Sequence, residues 1–185
     1  MSDTTSTFTF KITVIGDGRV GKTSLIKKFT DKSFQDDYIK TIGAQFSIYN
    51  KDIEGDKIKL LFWDIAGQDD FHFLRASFFK NSRAAIIVYS LEENEHGKES
   101  FKHIENWHND INKYCEEIPI VVFANKVDLV DENELDHSNI QKLVKEHNFL
   151  SYYLTSAKTG QGVYEAFNAI IKNLYYKYKA ISSDL

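Results

Sequence analysis

An α/β fold built on a mostly parallel sheet follows from three features of this sequence. Strand-like and helix-like patterns alternate along nearly the whole chain. The segments 84–90 and 118–125 are continuous apolar runs, the pattern of strands covered on both faces. Every motif able to hold a ligand falls just after an expected strand, the edge at which such sheets bind. The architecture expected is a mostly parallel six-stranded sheet with one antiparallel strand and helices on both faces. At 185 residues the chain is one domain, long enough to bury about 70% of the surface its unfolded chain exposes. We expect a disordered polar tail over residues 1–7, the domain over 8–180 and a short tail over 181–185. There is no internal repeat, and the single proline, Pro119, leaves no Pro-rich linker for a second domain.

The elements follow in order. Phe8, Phe10, Ile12 and Val14 alternate with Thr9, Lys11 and Thr13, the period of a strand, and Ile15 leads into a glycine loop. A helix from Lys22 gathers Leu25, Ile26 and Phe29 on one side. Segments 45–52 and 57–64 read as strands joined through Ile53-Glu54-Gly55-Asp56, a hairpin turn with Gly, which makes that pair antiparallel. After strand 84–90, Phe101, Ile104, His108, Ile111 and Cys115 recur at helical spacing. Strand 118–125 precedes a helix over 138–147 with Ser138 as its N-cap. A short strand over 151–155 leads to a last helix with Val163, Phe167, Ile170, Ile171, Leu174 and Tyr178 on one stripe.

Composition excludes several classes of function. A net charge of −4 with 27% charged residues and no basic tract argues against non-specific nucleic-acid binding. No apolar run approaches the roughly 20 residues of a membrane span. The N-terminus lacks the Gly that myristoylation needs, and the end Ile181-Ser182-Ser183-Asp184-Leu185 offers no cysteine for prenylation. A self-encoded lipid anchor is therefore not expected. The lone Cys115 excludes a disulfide within the chain and points to a reducing compartment, so it reads as a small buried hydrophobe. We expect a cytoplasmic monomer, peripheral to membranes through partners. His96, His103, His108, His137 and His147 show no metal-ligand spacing. The segment Tyr175-Tyr176-Lys177-Tyr178-Lys179 reads as a solvated helix end, a membrane-brushing surface being the weaker alternative.

The chemistry starts at Gly16-Asp17-Gly18-Arg19-Val20-Gly21-Lys22-Thr23. The outer glycines let the backbone curl so that successive N–H groups face phosphate oxygens, and the following helix offers its positive end. Lys22 reaches the outer phosphates, and the Thr23 hydroxyl suits Mg²⁺, with Ser24 beside it. Gly16, Gly18 and Gly21 also fit the dinucleotide spacing G-x-G-x-x-G. That reading wants an acidic residue closing the next strand, whereas Asp36 and Asp37 sit in a polar stretch after the helix. Lys22 and Thr23 directly after the last glycine favour the phosphate cradle.

Asn125-Lys126-Val127-Asp128 follows the expected fifth strand, with Leu129 next, and Thr155-Ser156-Ala157-Lys158 follows the sixth. A carboxylate at Asp128 accepts from both the N1–H and the exocyclic amine of guanine, and adenine has neither donor. Each such bond to a charged group is worth roughly 1.5 to 3 kcal/mol, so two discriminate by several hundredfold. The Lys126 stem can lie over the base plane, and the Ala157 N–H can reach the guanine O6.

Taken together, these motifs resemble the Ras superfamily of small GTPases over nearly the whole chain, and the expected fold becomes a P-loop G domain. Thr41-Ile42-Gly43-Ala44-Gln45-Phe46 and Trp63-Asp64-Ile65-Ala66-Gly67-Gln68-Asp69 are similar to the Rab-like branch. The chain departs from that branch at Ala44-Gln45, where Val-Asp is usual, and at Ile65 and Asp69 within a segment that usually reads Thr-Ala-Gly-Gln-Glu.

The resemblance implies GTP and GDP as ligands, with Mg²⁺ held by Thr23, by Thr41 when a γ-phosphate is present, and by Asp64 through water. It implies that Phe34 stacks near guanine, that Tyr38 closes over the phosphates, and that Gln68 positions the attacking water beside Gly67, with Gly18 leaving room. Arg19 reads as a solvated or phosphate-facing residue rather than a catalytic arginine in cis. Two loops, around Thr41 and over 67–79, would be ordered by γ-phosphate and released on hydrolysis. Phe46, Trp63 and Phe78 would form the aromatic surface that effectors read. An exchange factor and a GTPase-activating protein are implied as partners. Two rivals stand beside this slow GTPase switch: a GTP-binding scaffold without significant turnover, and a P-loop kinase, against which Asn125 to Asp128 argue.

Overall fold

Six strands form one sheet in the order β2-β3-β1-β4-β5-β6. They are β1 (Thr7–Ile15), β2 (Ala44–Ile53), β3 (Asp56–Ile65), β4 (Ala84–Ser90), β5 (Ile120–Asn125) and β6 (Ser151–Thr155). The structure, a computed structural model, describes residues 5–31, 43–67 and 75–183. β2 runs antiparallel to β3, and the other four neighbouring pairs are parallel. Glu54 and Gly55 close the hairpin with φ of 52° and 87°. Both central residues are thus left-handed, the geometry of tight hairpin turns, and Gly adopts it without steric cost.

The period of two along β4 divides the core. Ala84, Ile86 and Val88 join one cluster with Phe10, Ile12 and Val14 of β1, Leu25 and Phe29 of helix α1 (Lys22–Asp31), and Phe167, Ile170 and Leu174 of helix α6 (Val163–Ser183). Ala85, Ile87 and Tyr89 join the opposite cluster. That face is covered by α2 (Arg75–Phe79), α3 (Glu95–Lys102), α4 (Ile104–Asn112) and α5 (Ser138–Glu146). Because both faces are covered, β4 and β5 are buried at every position, which is why they read as continuous apolar runs.

Several boundaries differ from the sequence reading. β1 begins at Thr7, and α6 continues through Ser183. β5 begins at Ile120 rather than 118, because Pro119 has no N–H for the ladder; its carbonyl still accepts from Ala85 at 3.0 Å. The expected helix through Phe101 to Cys115 is two helices meeting at His103, and its buried stripe is Ile104, Trp107 and Ile111, with His108 half-buried. Ser138 does not cap α5; its N–H is donated to the Asp136 carboxylate at 2.9 Å. Cys115 is half-buried, with its thiol toward the Phe79 carbonyl at 3.1 Å, and burial raises its pKa.

The helix end over 175–179 is a larger correction. Tyr175 is fully buried, not solvated. Its hydroxyl donates to Asp56 at 2.9 Å, and Lys179 ion-pairs with Asp56 at 3.2 Å and with Glu54 at 3.4 Å. Tyr176, half exposed, donates to Glu54 at 2.8 Å. This end of α6 therefore fastens to the β2–β3 hairpin.

Candidate functional site

Four loops leave the carboxyl ends of β1, β3, β5 and β6 and converge at one edge. The first carries Asp17, Gly18, Arg19, Val20 and Gly21 and opens α1 with Lys22, Thr23 and Ser24. Gly21 has φ of 101°, and a Cβ there would stand 2.3 Å from the Asn125 amide nitrogen. Only glycine lets the loop lie that close to β5. Val20 contributes its carbonyl, while its side chain belongs to the core. Arg19 is exposed and left-handed, with φ of 63°.

Lys22 is folded back into its own loop. Its ammonium donates to the Gly16 carbonyl at 2.7 Å and the Asp17 carbonyl at 2.6 Å, and the residue is buried. An ammonium has three donors, and these carbonyls account for two. Burial lowers its pKa to about 8 against the opposing pull of Asp64 and Asp17. A buried cation depressed in this way favours an anion brought to it.

Asp64, near the end of β3, is buried and accepts a hydrogen bond from the Thr23 hydroxyl. A hydroxyl and a carboxylate in contact are hard oxygen donors, the set that suits a small divalent cation such as Mg²⁺. Gly67 follows β3 and lies against the first loop: a Cβ there would meet the Asp17 carbonyl carbon at 2.3 Å and the Gly18 nitrogen at 2.4 Å. The β3 loop thus has no room to move toward the cradle.

Asn125 ends β5 as a buried tie between loops. Its amide donates to the Val20 carbonyl at 2.8 Å, and its oxygen accepts from the Thr155 hydroxyl at 3.3 Å and the Ala157 N–H at 3.2 Å. The Ala157 N–H, expected to face a base oxygen, is thus shared with Asn125. Asp128 accepts from the Ser156 hydroxyl at 2.5 Å, which fixes the carboxylate proposed to choose the base. Leu129 and Lys158 are exposed beside it.

Lys126 has φ of 70°, the left-handed start of the turn Val127–Leu129. Its ammonium pairs with Glu92 at 2.6 Å, and the same carboxylate oxygen accepts from Ser90 at 2.9 Å. Burial works against ionisation of Glu92, but Lys126 and Ser90 outweigh it and hold its carboxyl below the ordinary range. Glu92 escaped sequence reasoning because 34 residues separate it from its partner. His103 and Trp107 escaped it too; both reach Asp17 from the helices. Trp107 had a signal, standing between Ile104 and Ile111 at helical spacing.

Phe34, Tyr38, Thr41 and Gln68 lie outside the described residues. Of the aromatic surface, Phe46 is 68% exposed, and Trp63 stands 6.0 Å from both the Phe46 and Phe78 rings. No group of three or more His, Cys, Asp or Glu side chains able to hold a metal ion occurs among the described residues. No helix among them is long and apolar enough to cross a membrane.

The model of the Ras family matches residues 11–176. Ras-related protein Rab-13 of Bos taurus is 35% identical over 169 residues, covering 91% of this chain and 81% of that protein. Ras-related protein Rab-1D of Dictyostelium discoideum is 36% identical over 168 residues, 90% of this chain and 80% of that protein. Ras-related protein Rab-1 of Theileria annulata is 38% identical over 169 residues, 90% of this chain and 74% of that protein.

Proposed function

The chain belongs to the Ras family, and from that premise we propose which of its residues bind the nucleotide and work the switch. As a family member with Rab relatives it binds guanine nucleotide, hydrolyses GTP and acts as a switch of the membrane-traffic type. Effectors, exchange factors and GTPase-activating proteins are the partners of such switches. The observation that carries the residue assignment is the convergence of the four strand-end loops, each tied to the next through a buried polar group: Thr23 to Asp64, Asn125 to Val20 and Ala157, and Ser156 to Asp128.

In this reading the N–H groups from Asp17 to Ser24 and the Lys22 ammonium receive the phosphates. Asp128 takes the guanine N1–H and amine, the Lys126 stem covers one face of the base, and Ala157 serves the base oxygen. Ser156 keeps the Asp128 carboxylate from rotating away, so little ordering remains for binding to impose. Thr23, Asp64 and Thr41 would hold Mg²⁺, which when bound neutralises charge on the phosphate oxygens. Gln68 would orient the water that attacks the γ-phosphate, beside Gly67 and with Gly18 leaving space. Phe34 and Tyr38 would close over the nucleotide. Phe46, Trp63 and Phe78 would present the state to effectors, and the protein would act in the cytoplasm, peripheral to membranes through partners.

Chromatography of the nucleotide released on denaturation tests the ligand: guanosine phosphates are expected, and an adenine nucleotide would overturn the base pocket. Single-turnover phosphate release from GTP then separates a switch from a scaffold. Slow but finite release is expected, lost in Gln68→Leu with binding retained; equal release by that variant would remove Gln68 from the role given to it.

A further inference from the structure

A carboxylate is an awkward group to find inside a phosphate cradle. Asp17 lies between Gly16 and Gly18, in the loop that must wrap a polyanion, and like charges there oppose binding. The structure turns this side chain outward. One carboxylate oxygen accepts the Trp107 indole N–H at 2.8 Å. The other lies 2.7 Å from His103 Nδ1. Since an ionised carboxylate only accepts, that nitrogen carries the proton.

The two donors are set by one piece of helix geometry. His103 stands at the junction of α3 and α4, and Trp107 is four residues on, so both side chains project from the same face. Trp107 is itself held. It is 5% exposed, and the Arg75 guanidinium stacks 4.3 Å over its ring while bonding Asp110 at 2.6 Å. The Asp17 main chain meanwhile does other tasks. Its carbonyl accepts from Lys22 at 2.6 Å, and its peptide is packed against Gly67.

We propose that His103 and Trp107 are positioning residues of the phosphate loop, holding the Asp17 carboxylate on the helix side so that it points away from the cradle interior and the Asp17 carbonyl stays on Lys22. The inference rests on the nucleotide reading of the site. Both side chains act through the Asp17 carboxylate, and with it they line a cavity shared with Gly18, Arg19 and Gly67.

The test is the release rate of a fluorescent GDP, the methylanthraniloyl derivative, from the full chain. His103→Leu, at a half-exposed position, and Trp107→Phe each remove one donor to a charged acceptor, and each is expected to speed release about tenfold. His103→Asn, which can present an amide N–H to the same oxygen, is expected to recover most of the loss. In an Asp17→Ser background, which lacks the carboxylate, His103→Leu and Trp107→Phe should change release less than about twofold, because coupling vanishes when the shared partner is gone. A merely structural role would accelerate release equally in both backgrounds. That result, or unchanged release from both single variants, overturns the proposal while leaving the nucleotide site standing. Failure of the unsubstituted protein to bind the GDP derivative overturns the nucleotide reading and this inference with it.

Discussion

The two ends of the sheet both bury charged groups, yet only one of them is prepared for a ligand. At the hairpin end, Asp56 is surrounded by what a carboxylate needs. The Ser6 N–H at 2.9 Å, the Tyr175 hydroxyl and Lys179 hold its carboxyl below the ordinary range despite burial. At the opposite end, Lys22 is buried on carbonyls, and its pKa falls to about 8 even with Asp64 and Asp17 nearby. A buried ion made comfortable by its neighbours is a fastening. One held at a cost, at the mouth of converging loops, waits for a counter-ion. The difference teaches that burial of charge alone does not mark a site; what the neighbours offer the buried group separates the fastening at Asp56 from the cation at Lys22.

Substitutions at the two ends should therefore separate binding from folding. The largest effect expected is Asp128→Asn, which exchanges an acceptor for a donor at the base: guanine affinity should fall several hundredfold, with xanthine nucleotides gaining, as read by competition binding. Unchanged GTP affinity would break the contrast at its functional end.

The second effect is a pH dependence with a definite sign. Without nucleotide, Lys22 loses its proton as pH rises through about 8, below its unfolded value, so the folded chain gains stability between those pH values. Phosphates hold the ammonium charged, so binding takes up a proton above pH 8, and affinity falls by up to about tenfold per pH unit there. Calorimetry at pH 8.5 in buffers of different ionisation heat should show that uptake. A buffer-independent heat would place the ammonium outside the binding event.

A smaller change is expected from Glu92→Gln, which leaves the Lys126 ammonium without its ion pair. Nucleotide release should quicken about threefold to tenfold, within what a partly exposed charged contact supplies. The smallest effect on binding belongs to the other end. Tyr175→Phe removes the hydroxyl from Asp56 and should lower Tm by a few degrees with nucleotide release unchanged. A change in release would mean that the hairpin end communicates with the site.

Much of this was legible in the sequence, and most of the exceptions share a cause. Strands β4 and β6 and the antiparallel hairpin appeared where their local patterns placed them, because period and turn chemistry are properties of consecutive residues. The glycine loop over 16–23 and the segments Asn125 to Asp128 and Thr155 to Lys158 were legible as motifs for the same reason, since each is a run of consecutive residues, and the structure brings them to one edge of the sheet. Expectations failed where the deciding partner was distant. One exception is local: the Ser138 N–H goes to the Asp136 carboxylate two residues before it, and α5 starts without a side-chain cap. Tyr175 read as a solvated aromatic because nothing near it announces Asp56, 119 residues earlier.

The sequence by itself determined the α/β alternation, the phosphate loop, the likeness to guanine-nucleotide switches and the edge of the sheet at which the motifs would gather. Only the tertiary structure decided how that edge is held: that Asn125 ties three loops, that Glu92 takes the Lys126 ammonium, and that His103 and Trp107 turn Asp17 away from the cradle. The reason is physical. A motif is local chemistry written in consecutive residues, whereas the orientation of a buried charge is set by whichever donors and acceptors packing brings within hydrogen-bond distance.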